Sequence, residues 1–160
     1  MMLDTLYTLS QIVAALAVIG SLIFVGLQVR QANRMMRDAA IRNHAEKFQE
    51  ISRVMFEVPG LAELWSKGGS DFSSLEPGKR IRFVNFVTWF MRIFEELMVQ
   101  HQQGLMDKDM WEANINIGRD ALSLPGAMKV YEIRKHIFSK KFQAFHSELT
   151  QPGATRTLYE

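Results

Sequence analysis

The segment from Thr5 to Val29 contains no formally charged residue and is followed at once by Arg30. A helix that crosses a bilayer needs about 20 mostly apolar residues, because it rises about 1.5 Å per residue through roughly 30 Å of hydrocarbon. The run from Ile12 to Leu27 is apolar or small throughout. It contains Gly20 and Gly26, which membrane helices tolerate. The segment therefore predicts a transmembrane helix.

Two other structures share this kind of composition. A cleaved signal peptide has a basic start, a shorter apolar core and a small-x-small cleavage site, whereas this N-terminal flank holds Asp4 and no Lys or Arg. The central helix of a soluble bundle can also be apolar on every side. The length of the run, and the helix-forming sequence that follows Val29, favour a retained span, with residues 1–29 as the anchor.

The positive charges around the span predict its orientation. Arg30, Arg34, Arg37, Arg42 and Lys47 follow the span, and no basic side chain precedes it. Short loops rich in Lys and Arg stay on the cytoplasmic side of the membrane, so the part of the chain after the span is predicted to be cytoplasmic. The first three arginines also lie close enough to the bilayer to contact anionic headgroups.

One face of the span has a regular pattern of mostly small residues. Small side chains let another helix approach closely, and a glutamine near the interface can donate a hydrogen bond across it. The pattern predicts a packed partner, either a second copy or another protein, although alanine and serine are common in any membrane helix. The residues of this seam recur at steps of three and four: Ser10, Ala14, Ala17, Ser21, Phe24 and Gln28.

The composition after the span fits one cytoplasmic helical domain over residues 30–150, with a tail at 151–160. The chain has no cysteine, so it offers neither disulfides nor thiolate metal ligands. Its 19 basic and 17 acidic residues leave a net charge of only +2. That balance is too mild to indicate a nucleic-acid partner.

The cytoplasmic part reads as all-α, since no stretch alternates as a strand does. The first helix is predicted to continue through residues 30–58 and to end at Pro59. Helices are then predicted over Leu61–Ser66, closed by glycines, and over Lys79–Gln103, which is apolar on several faces and therefore central. Asp107 and Ser139 are predicted N-caps of later helices. The helix after Asp107 is predicted to end at Leu122, and the helix after Ser139 is predicted to end at Leu149. Between them, a helix is predicted from Ala127 to Ile137.

Three charged residues stand in the most apolar helix. Arg92 can pair with Glu95 three residues on or with Glu96 four residues on. We interpret them as a buried ion pair that fixes how the helices pack, the alternative being a contact with a ligand or partner. 

The histidines do not predict a metal site. No two of them share one helical face, and His101 follows Glu95 and Glu96 at a spacing that differs from the Glu-x-x-His pattern of di-iron bundles. His101 is expected to end a buried stripe and to bond a backbone carbonyl or water. No phosphate loop, nucleophile elbow or zinc motif is present, so neither a catalytic residue nor a cofactor is predicted.

The order and spacing of several short motifs resemble a family of uncharacterised small bacterial membrane proteins. The resemblance implies an N-terminal anchor, a helical body and residence in the bacterial inner membrane, and it supplies no catalytic residues. Family members tend to have Thr or Ser before the proline that opens the central helix, where this chain has Glu76. The resembling stretches are Ile19–Gln31, Pro59–Trp65 with Gly68, Phe94–Glu96, Gln100, Gly104–Asp107, Trp111, Pro125–Gly126 and His136–Ser139 with Phe142.

Two functions are open at this point. The first is a non-catalytic, single-pass accessory or structural subunit, docked to a larger membrane protein complex. The second is a self-associating, membrane-anchored sensor or scaffold that binds a lipid or hydrophobic ligand beside Phe90, Phe94 and Met98.

Overall fold

The computed structural model describes residues 2–151. Within that range the chain is all-α, as the sequence predicted, and contains no strand. Met1 and most of the predicted tail, residues 152–160, lie outside the described residues. The helices are α1 Met2–Glu57, α2 Leu61–Ser70, α3 Pro77–Gln102, α4 Lys108–Leu122, α5 Pro125–Arg134 and α6 Lys140–Leu149, with short 3-10 turns at Phe72–Ser74 and Lys135–Ile137.

Residue contacts divide the chain into two compact units, Met1–Ala39 and Ala40–Glu160. The division falls inside α1, later than the predicted boundary at residue 29. Its position follows packing, since Ala40 is the first buried residue of the chain among those described.

The first unit is the N-terminal part of α1. This helix is long and apolar enough to cross a membrane, and none of its most apolar window is buried. Aliphatic side chains such as Leu16, at 62% of its full exposure, and Ile23, at 61%, face outward along it. After its start at Met2, α1 continues unbroken through this stretch to Glu57. 

The second unit is organised around α3. Phe83, Val87, Met91 and Phe94 on this helix are all at most 1% exposed. Helices α2, α4 and α5 contact α3 or one another, and α6 contacts α4. The buried side chains of these helices form one core. Apolar residues on more than one face therefore mark α3 as the central helix, as predicted.

Local chemistry fixes several helix ends. The Asp107 carboxylate accepts a hydrogen bond from the Met110 amide at 2.8 Å, and the Ser139 hydroxyl accepts one from the Phe142 amide at 3.2 Å. Both side chains satisfy amides that a helix N-terminus leaves unpaired. Glu76 makes no such bond, and α3 begins at Pro77, whose fixed φ suits a first turn. Gly104, with φ 69°, follows the end of α3.

The glycines of α2 correct one prediction. They were expected to end the helix near residue 67, yet α2 continues through Gly68 and Gly69 to Ser70, and both glycines are buried. A β-carbon on Gly68 would lie 2.5 Å from the Phe83 ring, and one on Gly126 would overlap the Gly68 carbonyl oxygen. These glycines are required because α2 approaches α3 and α5 closely, rather than to close a helix.

A second correction concerns α5. The predicted helix Ala127–Ile137 begins earlier, at Pro125, and its α-helical part ends at Arg134. Residues Lys135–Ile137 form a 3-10 turn, after which Phe138 is extended. The tighter turn brings the chain to the start of α6.

Replacing Gly126 by alanine tests the close approach of α2 and α5. We expect Gly126→Ala to lower the free energy of unfolding of the second unit by about 2 kcal/mol or more, because the added methyl group meets backbone that cannot move aside. The measurement is thermal unfolding of the full chain in detergent, followed by tryptophan fluorescence. All three tryptophans lie in the second unit.

The matched control is Gly78→Ala. Gly78 lies in the first turn of α3, and a β-carbon there meets nothing within 4 Å. Alanine is the better helix former by about 1 kcal/mol, so this variant should be as stable as the natural chain or slightly more so. Equal destabilisation by both changes would contradict the assigned role of Gly126.

Candidate functional site

Arg92 and Glu95 on α3 connect this helix to the junction between α5 and α6. Their side chains form an ion pair at 2.6 Å between Nη1 and Oε2. The second carboxylate oxygen of Glu95 accepts a hydrogen bond from the Ser139 amide at 2.8 Å, and Arg92 donates one to the Ile137 carbonyl at 2.7 Å. The guanidinium also lies over the Phe138 ring, 4.7 Å from its centroid. The pair therefore holds the start of α6 in place.

The surroundings of Glu95 favour its charged form. Burial raises the pKa of the Glu95 carboxyl, but the hydrogen bonds from Ser139 and Arg92, together with the Arg92 charge, outweigh it, so the pKa is lowered. A carboxylate that accepts several hydrogen bonds is stabilised as the anion. Glu95 thus contributes most to stability when it is ionised.

Glu96, the next residue, faces a different helix. Its carboxylate forms an ion pair with Lys47 and accepts a hydrogen bond from the Asn43 amide at 2.9 Å. Gln100, one turn later, donates to the same carboxylate at 3.3 Å. Asn43 and Lys47 lie on α1 after Ala40, within the second unit. Glu96 therefore connects α3 to the later part of α1.

The predicted triad is thus divided between two contacts. Of the two pairings left open, Arg92 takes Glu95, because Glu96 is engaged with Asn43 and Lys47. The pair was expected to be buried, but only its carboxylate is largely buried. The Glu95 side chain is 14% exposed, but Arg92 is 48% exposed, because its guanidinium lies across Phe138 at the surface.

Sequence reasoning missed the partners that come from other helices. Asn43 and Lys47 are four residues apart, which places them on one helical face, and that spacing was the available signal. Nothing in the sequence indicated the Ser139 amide and the Ile137 carbonyl as partners, because backbone groups of this kind occur all along the chain.

A groove of about 220 Å³ lies between α1 and α3 beside these contacts. Trp89 and Ile93 are its apolar lining residues, and its other lining residues are charged. Those charges are already paired, Lys47 with Glu96 and Glu50 with Arg53, and Arg92 with Glu95. Lys47 and Glu96 join α1 to α3, and Arg92 joins α3 to the segment before α6, whereas Glu50 is paired within α1.

His146 on α6 is the most buried histidine, at 1% exposure. Its ring stacks on Tyr131, with centroids 3.7 Å apart and planes at 9°. Neither ring nitrogen has a hydrogen-bond partner among the described residues. Burial lowers the pKa of His146 to about 4, and the Glu132 charge offsets only part of that effect. The neutral ring is therefore the form that the fold accommodates.

The other two histidines in contact with the core are held by aromatic rings. Burial lowers the pKa of His44, while a hydrogen bond with Asn114 opposes the shift; its ring meets the edge of Phe48. His101 stacks on Trp111 with centroids 4.2 Å apart. The expected bond from His101 to a protein carbonyl is not formed at Nδ1, which has no partner in the described part of the chain.

The residues proposed to line a hydrophobic ligand cavity are packed against protein. Phe90, Phe94 and Met98 are 6%, 0% and 3% exposed. Phe94 contacts the rings of Phe48 and Phe90. A β-carbon on Gly118 would overlap Phe94. These three side chains belong to the core of the second unit.

The seam residues and the three arginines lie on the first unit, in the uninterrupted helix α1. All of them are exposed. Ser10 donates its hydroxyl to the Tyr7 carbonyl at 2.8 Å, so it is satisfied within its own helix. The complete set is Ser10, Ala14, Ala17, Ser21, Phe24 and Gln28 for the seam, with Arg30, Arg34 and Arg37 after it.

No group of three or more His, Asp or Glu side chains in residues 2–151 has an arrangement that could hold a metal ion. Comparison of the chain with protein-family models, with curated proteins and with solved structures finds no match.

Removing the charge of Glu95 tests its role at the α6 junction. We expect Glu95→Gln to lower the free energy of unfolding at neutral pH by about 1 kcal/mol, since a charge-assisted bond becomes a neutral one. In the natural chain this contribution is complete above about pH 4.5, the value of an unshifted glutamate, and is lost as pH falls through the lower folded pKa. Unfolding of the variant in detergent should therefore depend less on pH in that acidic range.

Glu112→Gln is the matched control for that measurement. Glu112 pairs with Lys108 at 3.6 Å, but its side chain is 61% exposed and that of Lys108 is 82% exposed. Exposed pairs contribute little, so the stability of this variant should follow the natural chain at every pH. An effect as large as that of Glu95→Gln would show that both changes act through surface charge in general.

His146 should make the second unit sensitive to acid. The unfolded chain binds a proton at this residue near pH 6.5, whereas the folded chain resists protonation down to about pH 4. Stability is therefore lost as pH falls between these values, by up to about 3 kcal/mol. We expect His146→Phe, which keeps a ring against Tyr131, to remove that loss in acid unfolding curves. His136→Phe, at an exposed position, should leave the curves unchanged; a natural chain with the same stability at pH 6.5 and pH 4 would contradict the assignment.

Proposed function

We propose that this chain is a single-pass protein of the bacterial inner membrane and acts there as a non-catalytic accessory subunit of a larger membrane assembly. The observation that carries the proposal is the N-terminal part of α1, where a helix long enough to cross a bilayer leaves its apolar side chains uncovered. In water each such leucine or isoleucine would lack the stabilisation of about 1.5–3 kcal/mol that burial gives a side chain of this size. A bilayer provides the apolar surroundings that the protein itself does not.

The proposed orientation rests on charge. Arg30, Arg34 and Arg37 follow the span and are exposed, which fits a cytoplasmic location for the second unit. Removal of a signal sequence is the competing explanation of an apolar N-terminal helix. The unbroken continuation of α1 from Val29 into the second unit favours retention, because cleavage there would divide a helix whose later part joins α3 through Lys47.

The accessory role rests on two further features. The seam from Ser10 to Gln28 offers a face of mostly small side chains to another membrane helix. Two carboxylates of α3 are engaged with neighbouring segments, Glu95 with Ser139 and Glu96 with Asn43. These contacts suit a rigid body that presents a surface, and the proposed partner is an integral membrane protein.

The chain has no cysteine, so a single introduced cysteine can carry a crosslinker at one chosen place. We expect crosslinking in native membranes to join the protein to a larger partner from Ala17→Cys and Ser21→Cys on the seam. The matched variants Ile19→Cys and Ile23→Cys, on the opposite side of the same helix, should give little product, because that side faces lipid. The products are read by their mass on denaturing gels and by mass spectrometry.

Three outcomes would decide against the proposal. Products from both sides in equal amount would deny the seam any special role. A product of twice 18.4 kDa would indicate self-association, and so the scaffold alternative. Migration as a lone protomer in blue-native electrophoresis after mild extraction, together with no product, would remove the accessory role.

A further inference from the structure

Among the outward-facing residues of α1 before Ala39, two stripes lie on different sides of the helix. The first stripe consists of large aliphatic residues at steps of three and four, and the same steps lead without a break into the arginines. We call it the aliphatic stripe, with the arginine stripe at its end. An α-helix turns about 100° per residue, so the aliphatic stripe and the arginine stripe lie on the same side of α1. Their members are Leu9, Ile12, Leu16, Ile19, Ile23 and Leu27, followed by Arg30, Arg34 and Arg37.

The seam lies on the other side of the helix. With the same rotation per residue, its centre is about 140° away from the aliphatic and arginine stripes. Small residues favour contact with another helix, whereas large aliphatic side chains are at home among lipid tails. The arginines therefore follow the lipid-facing side of the span and not the side that would contact a protein partner.

The three arginines are available to a ligand. None of their guanidinium groups lies within 4.0 Å of a carboxylate among the residues described. Arg30 and Arg34 line an open pocket on the helix surface with Gln31, Met35 and Asp38. Asp38 is the one acidic residue of that pocket, and it forms no ion pair with Arg34, four residues before it.

The position of the arginines along the helix suits a headgroup. Arg30 directly follows Val29, the last apolar residue of the span. From Arg30 to Arg37 the helix rises about 10 Å, which covers the polar layer of one leaflet. Guanidinium groups bind phosphate through two parallel hydrogen bonds, in addition to the charge attraction.

We propose that Arg30, Arg34 and Arg37 form a binding site for the phosphate of an anionic phospholipid whose acyl chains lie along the aliphatic stripe. The inference rests on the proposed function, since only a span that is retained in the membrane brings these residues to the headgroup layer. It adds a lipid class to that function, and a division of α1 into a lipid side and a protein side.

The test is native mass spectrometry of the full chain in detergent with an equimolar mixture of phosphatidylglycerol and phosphatidylcholine of identical acyl chains. The natural chain should retain phosphatidylglycerol preferentially. The variant Arg30→Gln/Arg34→Gln/Arg37→Gln should lose about tenfold or more of that preference, each arginine near the surface contributing a few-fold. The corresponding Arg→Lys variant should keep most of the charge contribution but bind less tightly than the natural chain.

A control with the same loss of charge is Arg82→Gln/Lys129→Gln/Lys141→Gln. These residues are exposed in the second unit, and their removal should leave the lipid preference unchanged. If the triple arginine variant does not accumulate, Arg30→Gln and Arg34→Gln tested singly should each reduce the preference several-fold.

Equal retention of both lipids by the natural chain, or an equal loss in the arginine variant and its control, would overturn the inference. Displacement of phosphatidylglycerol by inorganic phosphate at constant ionic strength would assign the site to soluble anions, and so also overturn it. These results leave the proposed function intact as long as carbonate washing fails to remove the chain from membranes. If washing does remove it, the anchor itself is disproved.

Discussion

The uncovered apolar surface of α1 before Ala39 is the constraint on which the rest of the interpretation depends. Side chains such as Leu16 and Ile23 remain more than half exposed in the described structure, and no protein surface within the first unit could cover them, since that unit is one helix. Burying a side chain of this size is worth about 1.5–3 kcal/mol. A bilayer would remove the whole series from water at once, and it is the environment that we propose for this helix.

A different principle organises the second unit. Helix α3 supplies more of the large buried side chains than any other helix, and it also carries two consecutive carboxylates that face different neighbours. Residues that are adjacent in a helix differ by about 100° in direction, so Glu95 can reach Ser139 at the start of α6 while Glu96 reaches Asn43 and Lys47 on α1. A single turn of α3 thereby fixes the positions of two other helices, and the ionised form of Glu95 is part of that arrangement.

Two close contacts at glycines and one buried histidine restrict which residues the second unit can accept at these positions. Gly126 allows the backbones of α5 and α2 to approach, and Gly118 makes room for the Phe94 ring. His146 occupies a fully buried position with its ring on Tyr131 and neither nitrogen bonded within residues 2–151. The contacts at Gly126 and Gly118 require a residue without a side chain, and the position of His146 requires an uncharged ring.

Much of the helical architecture was predictable from local signals. The N-caps Asp107 and Ser139 depend on residues next to each helix end, and both were predicted correctly. The start of α3 was predicted at Lys79 and lies two residues earlier, at Pro77. The predicted end of α2 was wrong. Gly68 is needed because Phe83 and α5 approach it closely, and no residue near Gly68 in the sequence indicates that approach. The choice between Glu95 and Glu96 as partner of Arg92 also depended on side chains and backbone groups from other helices.

The sequence alone therefore determined the all-α class, the apolar helix with its arginines, and the order of the helices. It could do so because periodicity, charge and capping act over a few residues. Only the tertiary structure decided which way the α3 carboxylates face and why two glycines lie inside α2. It also decided that His146 is buried with neither ring nitrogen hydrogen-bonded within residues 2–151. Each of these depends on contacts between segments distant in the chain, whose distances a linear pattern does not contain.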